Sequence, residues 1–508
     1  MQLRNIALAV GLALALAGCK QASNPSTVAS AGQKIDWREG DVNDALAEAK
    51  ESNKPVILYW GAVWCPPCNQ MKSTLFKDPT FIAETKNFVP VYLDGDSKGA
   101  QQWGDRFGIS GYPTVIVLRP DGSEITRLSS AATAPKFADL LKVAARRTDS
   151  IDDVLKRAEA DPAKLSQDDW QILAGFDWGN DPKHFKDPAQ AGGLLGRLAK
   201  AAPDPAQQRR FGLLALEVTA GQGRDGKVTL SPAQQAELER ILPPLLASPQ
   251  EVVANRQELM LGAQLIPALS DPAQRDALGK SLIAALDKVY ADGSLPIGDR
   301  LDATFAEVEL AKAKGKVPPA VLDKVRRRVA WADDNAKDAM TRQAVMSDAA
   351  QLLDEAGDRP AAEKLLLAEL KRSKQPYYYM LDLADLYEED GNARAAIDWA
   401  HKAYDAAEGP ATRVQWAVDW SNTVMKLTPK DTAAVAESAN AVIVELAKSP
   451  DSYYQRTRVK VSAWGDKLRA WSANNGGAKV LADLRGKMDG VCAKEGAQAA
   501  ECRNWSKA

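Results

Sequence analysis

The stretch YWGAVWCPPCNQMK, residues 59–72, decides how this chain is read. Cys65 and Cys68 flank Pro66 and Pro67, and Trp64 stands immediately before them. Upstream, Pro55-Val56-Ile57-Leu58-Tyr59-Trp60 is short and nearly all apolar, the pattern of a strand buried on both faces. Downstream, Asn69-Gln70-Met71-Lys72 and Leu75 carry helical character. A strand–turn–helix of this kind puts Cys65 at a helix N-terminus, where free N–H groups and the dipole favour the thiolate. Pro66 and Pro67 suit the first helical turn, where their missing N–H groups cost nothing. Cys68 falls on the same face, close enough to close a ring. The pattern predicts an exposed attacking Cys65 and a shielded, resolving Cys68.

Two thiolates could instead hold Cu(I) or half of a zinc site. Apart from Met71, no His, Met-rich run or second C-x-x-C lies nearby, so neither metal nor cofactor is expected. A purely structural bridge fits less well, because a tryptophan-flanked C-x-x-C at a strand–helix turn is the reactive arrangement.

Further along, Val89 to Leu93 reads as a second strand and Gly111-Tyr112-Pro113-Thr114 leads into a third, Val115 to Leu118. Asp121-Gly122 then turns a hairpin into Glu124 to Leu128. With these elements in place, residues 35–145 resemble the thioredoxin superfamily. WCPPC matches its active-site motif, and Pro113 stands where the family keeps a cis-proline against the disulfide. Leu75-Phe76-Lys77-Asp78-Pro79 and Phe107-Gly108-Ile109 look most like the C-terminal domains of membrane-linked disulfide-interchange reductases. The resemblance implies an α/β thioredoxin-like domain, with a mixed central sheet flanked by helices. It implies that Cys65 and Cys68 are catalytic, that the Tyr112–Pro113 backbone docks a substrate strand, and that Trp64 shields one side. Client protein disulfides and a membrane electron donor or other redox partner are the implied partners.

One residue departs from that family. Many relatives carry a buried acid six positions before the first cysteine, to take up the resolving cysteine's proton; here that position is Tyr59. Strongly oxidising relatives also carry a His between the cysteines. This chain has Pro-Pro there, and its two histidines, His184 and His401, are far away in sequence. Less thiolate stabilisation means a lower reduction potential, which points to a reductase or exchanger.

The N-terminus gives an address. After Arg4, residues 6–16 are apolar, too short for a bilayer span of about 20 residues but right for the core of a secretory signal. Leu16-Ala17-Gly18-Cys19 resembles the lipobox of bacterial lipoproteins. That implies removal of residues 1–18, lipidation of Cys19 and attachment to a lipid bilayer. Lys20 after the cysteine favours the periplasmic side of the outer membrane of a Gram-negative host. Residues 20–33 are small and polar, a tether with a reach of roughly 20 Å. With Cys19 set aside, the remaining cysteines form two close pairs, and an exported chain suggests disulfide chemistry. Cys492 and Cys502 are expected to form a structural disulfide near the C-terminus; no helix-start signal beside them suggests a second redox pair. A net charge of −2 gives no reason to expect nucleic acid.

From about residue 147 the composition changes. Apolar residues recur three or four apart, as at Ala362, Leu366 and Leu370. Helix starts are marked by Asp161-Pro162, Asp187-Pro188, Asp204-Pro205, Ser231-Pro232 and Asp271-Pro272, a capping residue followed by Pro at the first helical position. This predicts a large all-α helical-repeat region. Leu383-Ala384, Tyr387, Ala396 and Ala403 follow the tetratricopeptide pattern, and 34 residues earlier Ala349-Ala350, Leu353 and Ala362 fill the same places. Glu369 breaks it, falling where Ala403 predicts a small residue. The expected division is 34–146 thioredoxin-like, 147–345 α-helical and 346–508 tetratricopeptide-like. Gly221-Gln222-Gly223-Arg224-Asp225-Gly226 matches the dinucleotide fingerprint, but follows a helical segment and lacks a surrounding βαβ unit, so it reads as a helix end and turn. The readings left open are a membrane-anchored periplasmic thiol–disulfide oxidoreductase and a helical adaptor whose thioredoxin-like part only docks or handles metal.

Overall fold

A computed structural model of the chain describes residues 34–508, apart from 98, 129–132, 180, 186, 223–226, 449–452, 495–498, 504 and 506–508. The expected signal, Cys19 and tether lie outside the described residues. In chain order the head comprises β1 (Arg38–Glu39), α1 (Val42–Ser52), β2 (Val56–Gly61), α2 (Pro66–Ser73), α3 (Pro79–Thr85), β3 (Val89–Asp94), α4 (Ala100–Phe107), β4 (Thr114–Leu118), β5 (Glu124–Leu128) and α5 (Ala134–Ala145).

β2 is buried along its whole length because its alternating side chains enter two cores. Ile57 and Tyr59 pack with Met71, Leu75, Phe81 and Phe137 on one face. Val56, Leu58 and Trp60 pack with Val42, Ala49, Phe107 and Ile109 on the other. The sheet runs β1-β3-β2-β4-β5. β1, β3 and β2 are parallel, while β4 runs antiparallel to β2 and β5 antiparallel to β4. The mixed sheet is the one the sequence predicted, and each long strand begins and ends within a residue of its expected bounds. Gly122, at φ +85°, supplies the left-handed turn after Asp121.

Beyond α5 the described elements are mostly helices, with Phe176 forming an isolated antiparallel bridge to Leu128 of β5. Gly221–Gln222 pairs antiparallel with Val228–Thr229, a small ribbon the sequence reading did not foresee. The helix Pro205–Thr219 ends just before it, in keeping with the expected helix end and turn. Asp187, Ser231, Asp204 and Asp271 each cap an α-helix that opens on the following proline. Asp161 caps only a 3-10 turn, Pro162–Lys164.

Helices Ala339–Glu355 and Arg359–Glu369 form one hairpin; Pro376–Glu389 and Ala393–Ala406 form the next. They repeat at 34 residues down to the joints: Gly357 and Gly391 both take positive φ, while Asp358 and Asn392 cap the second helices. The exception at Glu369 has a physical reason. Its carboxylate is 1% exposed and accepts a two-pronged bond from Arg342, Nη2 to Oε1 at 2.6 Å and Nε to Oε2 at 3.0 Å. Near the C-terminus Cys492 and Cys502 are joined and share a core with Trp464 and Trp505. Among the described residues no helix is long and apolar enough to cross a membrane.

The helical region is fastened to the head at separated places. Asp177 N donates to Arg127 O within β5, helix Ala339–Glu355 packs on α2, and helix Gln455–Asn475 packs on α4.

Candidate active site

Cys65 is the N-cap of α2. Pro66 occupies the first helical position, so the first free donor that turns back is the Cys68 N–H, 3.2 Å from Cys65 Sγ. The two sulfurs are bonded, with Cα atoms 5.2 Å apart. In the reduced form the same N–H and the helix dipole would face a Cys65 thiolate and lower its pKa. Asn69 fixes the turn by donating from Nδ2 to Val63 O at 2.9 Å and Cys65 O at 3.1 Å. The Tyr112–Pro113 peptide is cis. The Tyr112 hydroxyl accepts from Gln101 Nε2 at 3.0 Å, and burial pushes its pKa up to about 12.

Beneath α2 the missing family acid leaves an apolar place. The Tyr59 hydroxyl is buried without a hydrogen-bond partner, and burial raises its pKa. The nearby polar groups form a chain. Lys72 Nζ donates to the Tyr92 hydroxyl at 3.2 Å, and that hydroxyl donates to Asp94 Oδ2 at 2.9 Å. Burial lowers the Lys72 pKa against the pull of Asp94.

The structure brings Trp64, Cys65, Cys68 and Tyr112 together, and corrects one expectation. Cys65 is not exposed: it is 2% accessible and Cys68 0%. Both sit in a cluster with Ala62, Trp64, Tyr377, Ala403, Ala407 and Trp416, half of it supplied by the helical region. The Trp64 indole meets Trp416 edge-on at 4.8 Å and stacks on Tyr378 at 5.9 Å. The Arg456 guanidinium lies 5.5 Å from the Trp64 ring and 4.8 Å from the Tyr112 ring. Gln343 Nε2 donates to Trp64 O at 3.3 Å. Trp64 Nε1 donates to Thr412 Oγ1 at 2.9 Å, and that hydroxyl donates to Asp96 Oδ2 at 2.5 Å. Cys492 and Cys502 lie in another core and play no part here.

Sequence reasoning missed Asp96, Thr412, Trp416, Tyr378, Arg456 and Gln343. One faint signal existed. Gly409-Pro410 opens a helix without the Asp or Ser side chain that caps those starting at Pro188, Pro205, Pro232 and Pro272, so no local side chain satisfies its first N–H groups.

A five-stranded mixed sheet with a C-x-x-C at the N-terminus of α2 and a cis Tyr112–Pro113 peptide whose Tyr112 packs against the cysteine cluster defines the class of thiol–disulfide oxidoreductase domains. The family model described as Thioredoxin-like domain matches residues 42–145. Thioredoxin H4 of Arabidopsis thaliana is 30% identical over 115 residues, covering 22% of this chain and 92% of the plant protein. Thiol:disulfide interchange protein DsbD 1 of Pseudomonas aeruginosa is 33% identical over 107 residues, 20% of this chain. The match spans only 18% of that bacterial protein's length. Among solved structures, a thioredoxin from Thermus thermophilus matches 21% of this chain and 86% of its own at 26% identity, with a TM-score of 0.20. The chain belongs to the thioredoxin family through this head.

Proposed function

We propose that the whole chain is a membrane-anchored periplasmic thiol–disulfide oxidoreductase that reduces or exchanges disulfides in client proteins. The observation that carries this reading is the bonded Cys65–Cys68 pair at the N-cap of α2. The Cys65 thiolate attacks a client sulfur; the client S–S bond breaks and one client thiolate leaves. The Cys68 thiolate then attacks Cys65 Sγ in the mixed disulfide, the second client thiolate leaves, and the head is left oxidised. Two electrons have passed to the client, and a membrane electron donor returns them. Trp64 and the Tyr112–Pro113 backbone form the client-docking side. Cys492–Cys502 is a structural disulfide, and Cys19 carries the lipid. We assign residues 34–146 to the redox domain, 147–345 to a helical region and 346–508 to tetratricopeptide-like hairpins that hold a client or assembly partner.

The enclosure of Cys65 is the one observation favouring the second reading, an adaptor in which the head only docks. Equilibration of the full chain with glutathione buffers separates them. A reversible Cys65–Cys68 couple near or below about −230 mV supports a reductase. A value above roughly −150 mV makes it an oxidant and overturns the reading of Pro-Pro. The absence of a reversible couple, with function retained in Cys65→Ser, leaves the adaptor. In Cys68→Ser the mixed disulfide should persist and identify the client.

A further inference from the structure

The face on which the family docks its clients is already filled in this chain, by the chain itself. The centre of that contact is the start of helix Pro410–Leu427. Its N-cap, Gly409, has no side chain to satisfy the first N–H groups. Asp96, in the loop after β3, does so from the head. Its Oδ1 accepts the Thr412 N–H at 2.8 Å, and its Oδ2 accepts the Thr412 hydroxyl. The same hydroxyl accepts the Trp64 indole N–H, and Trp64 is bonded to Cys65 in the chain. Gly409 is required at this joint. It takes φ +91°, and a Cβ there would lie 2.3 Å from Asp96 Cγ. A helix cap supplied across 316 residues of sequence is thus coupled, through one hydroxyl, to the residue next to the reactive sulfur.

We propose that the Asp96–Thr412–Trp64 contact is a latch that holds the helical region closed over the redox pair, so that exchange at Cys65 proceeds only through an opened form. This rests on the redox reading above and adds how access to the pair is controlled. The closed form leaves an incoming thiolate no approach to Cys65 Sγ, since the residue is 2% accessible and packed with Trp416, Ala403 and Ala407. When opening is fast and rare, the observed rate is the intrinsic rate multiplied by the open fraction, so weakening the latch raises the rate in proportion.

The test is the rate at which dithiothreitol reduces the oxidised full chain. Each disulfide is followed separately, by alkylating the freed thiols and mapping the peptides by mass. A dithiothreitol thiolate bonds to Cys65 Sγ, the Cys65–Cys68 bond breaks and Cys68 leaves as thiolate; the reagent's second thiol closes its own disulfide and frees Cys65. Thr412→Val keeps the shape and removes both hydroxyl bonds. Gly409→Ala drives the capped end away from Asp96. Each should speed Cys65–Cys68 reduction about fivefold to tenfold, the range expected for a lost cap or hydroxyl bond. The buried Cys492–Cys502 disulfide is the internal control, and its rate should not change. Rates within twofold of the unsubstituted chain in both variants would overturn the latch. So would an equal acceleration of both disulfides, which reports loosening of the whole fold. The reduction potential decides the redox reading separately, because dithiothreitol reduces an accessible disulfide whether or not it is catalytic.

Discussion

Replacing Arg127 by Met tests how the head is fastened to the first helices of the tail. The Arg127 guanidinium is fully buried. Its Nε and Nη2 donate to the two Glu124 oxygens at 3.1 and 3.2 Å, and Nη2 also to Phe107 O at 2.8 Å. Its Nη1 lies 3.7 Å from Asp181 Oδ1, and both carboxylates are themselves fully buried. Methionine retains much of the volume and removes the charge, leaving two buried carboxylates short of a partner. Breaking a buried pair in this way costs about 3–5 kcal/mol. Lys183 Nζ remains 3.3 Å from Glu124 Oε2 and His184 Nδ1 remains 2.5 Å from Asp181 Oδ2, which places the loss near the lower end, about 3 kcal/mol. The pH dependence adds a second reading. Burial raises the Asp181 pKa, but the His184 hydrogen bond and the Arg127 charge outweigh it, and the net shift is downward. A carboxylate held low contributes stability above its unfolded pKa and loses it as pH falls through the folded one. The variant lacks part of that contribution, so its deficit should hold from pH 7 down to the unfolded value of 3.8 and narrow only below it, towards pH 3. Urea unfolding of the full chain by circular dichroism, at both pH values, measures it. A loss below about 1 kcal/mol at pH 7, or an Arg127→Met/Glu124→Leu double variant no better than the single one, would refute the reasoning.

Two further outcomes follow from buried acids in the helical region. Burial, with the nearby charges of Asp385 and Asp348, pushes the Asp382 pKa up to about 7 despite its Ser347 hydrogen bond. An acid with a raised folded pKa keeps its proton longer in the folded state, so its contribution is lost as pH rises from the unfolded value of 3.8 to about 7. Asp382→Asn should therefore gain stability relative to the unsubstituted chain as pH rises from 5 to 8, by at most about 3 kcal/mol; a pH-independent difference in denaturation midpoint would count against it. Glu369→Ala restores the small residue that the 34-residue pattern calls for, yet should destabilise by about 1–3 kcal/mol, because Arg342 loses its two-pronged partner. A rise in Tm in that variant would show that the repeat pattern outweighs the ion pair.

The head was legible because its signals are local. Val56–Trp60 reads as a doubly buried strand from its own residues, Asp121-Gly122 marks its own hairpin, and Cys65-Pro66 carries a helix start in two letters. The Asp-Pro and Ser-Pro starts were legible for the same reason. The environment of the redox pair was not. Trp64 and Thr412 are 348 positions apart, and no periodicity in either segment encodes that they meet. The expectation of an exposed Cys65 came from treating the head as if it stood alone. Glu369 misled for a related reason: a buried ion pair replaces a small residue by means of a partner that the repeat pattern does not contain. The ribbon at 221–222 and 228–229 is too short for alternation to register.

The sharing of one apolar cluster between the cysteine pair and the helical region bears on portability. A cut after α5 would strip Tyr377, Ala403, Ala407 and Trp416 from Ala62, Trp64 and the two sulfurs. The most reactive point of the fragment would then lie in a newly wetted aromatic patch, the kind of surface that recruits other chains indiscriminately. What the helices give the head is discretion: a reactive disulfide can be carried without adhering to whatever passes.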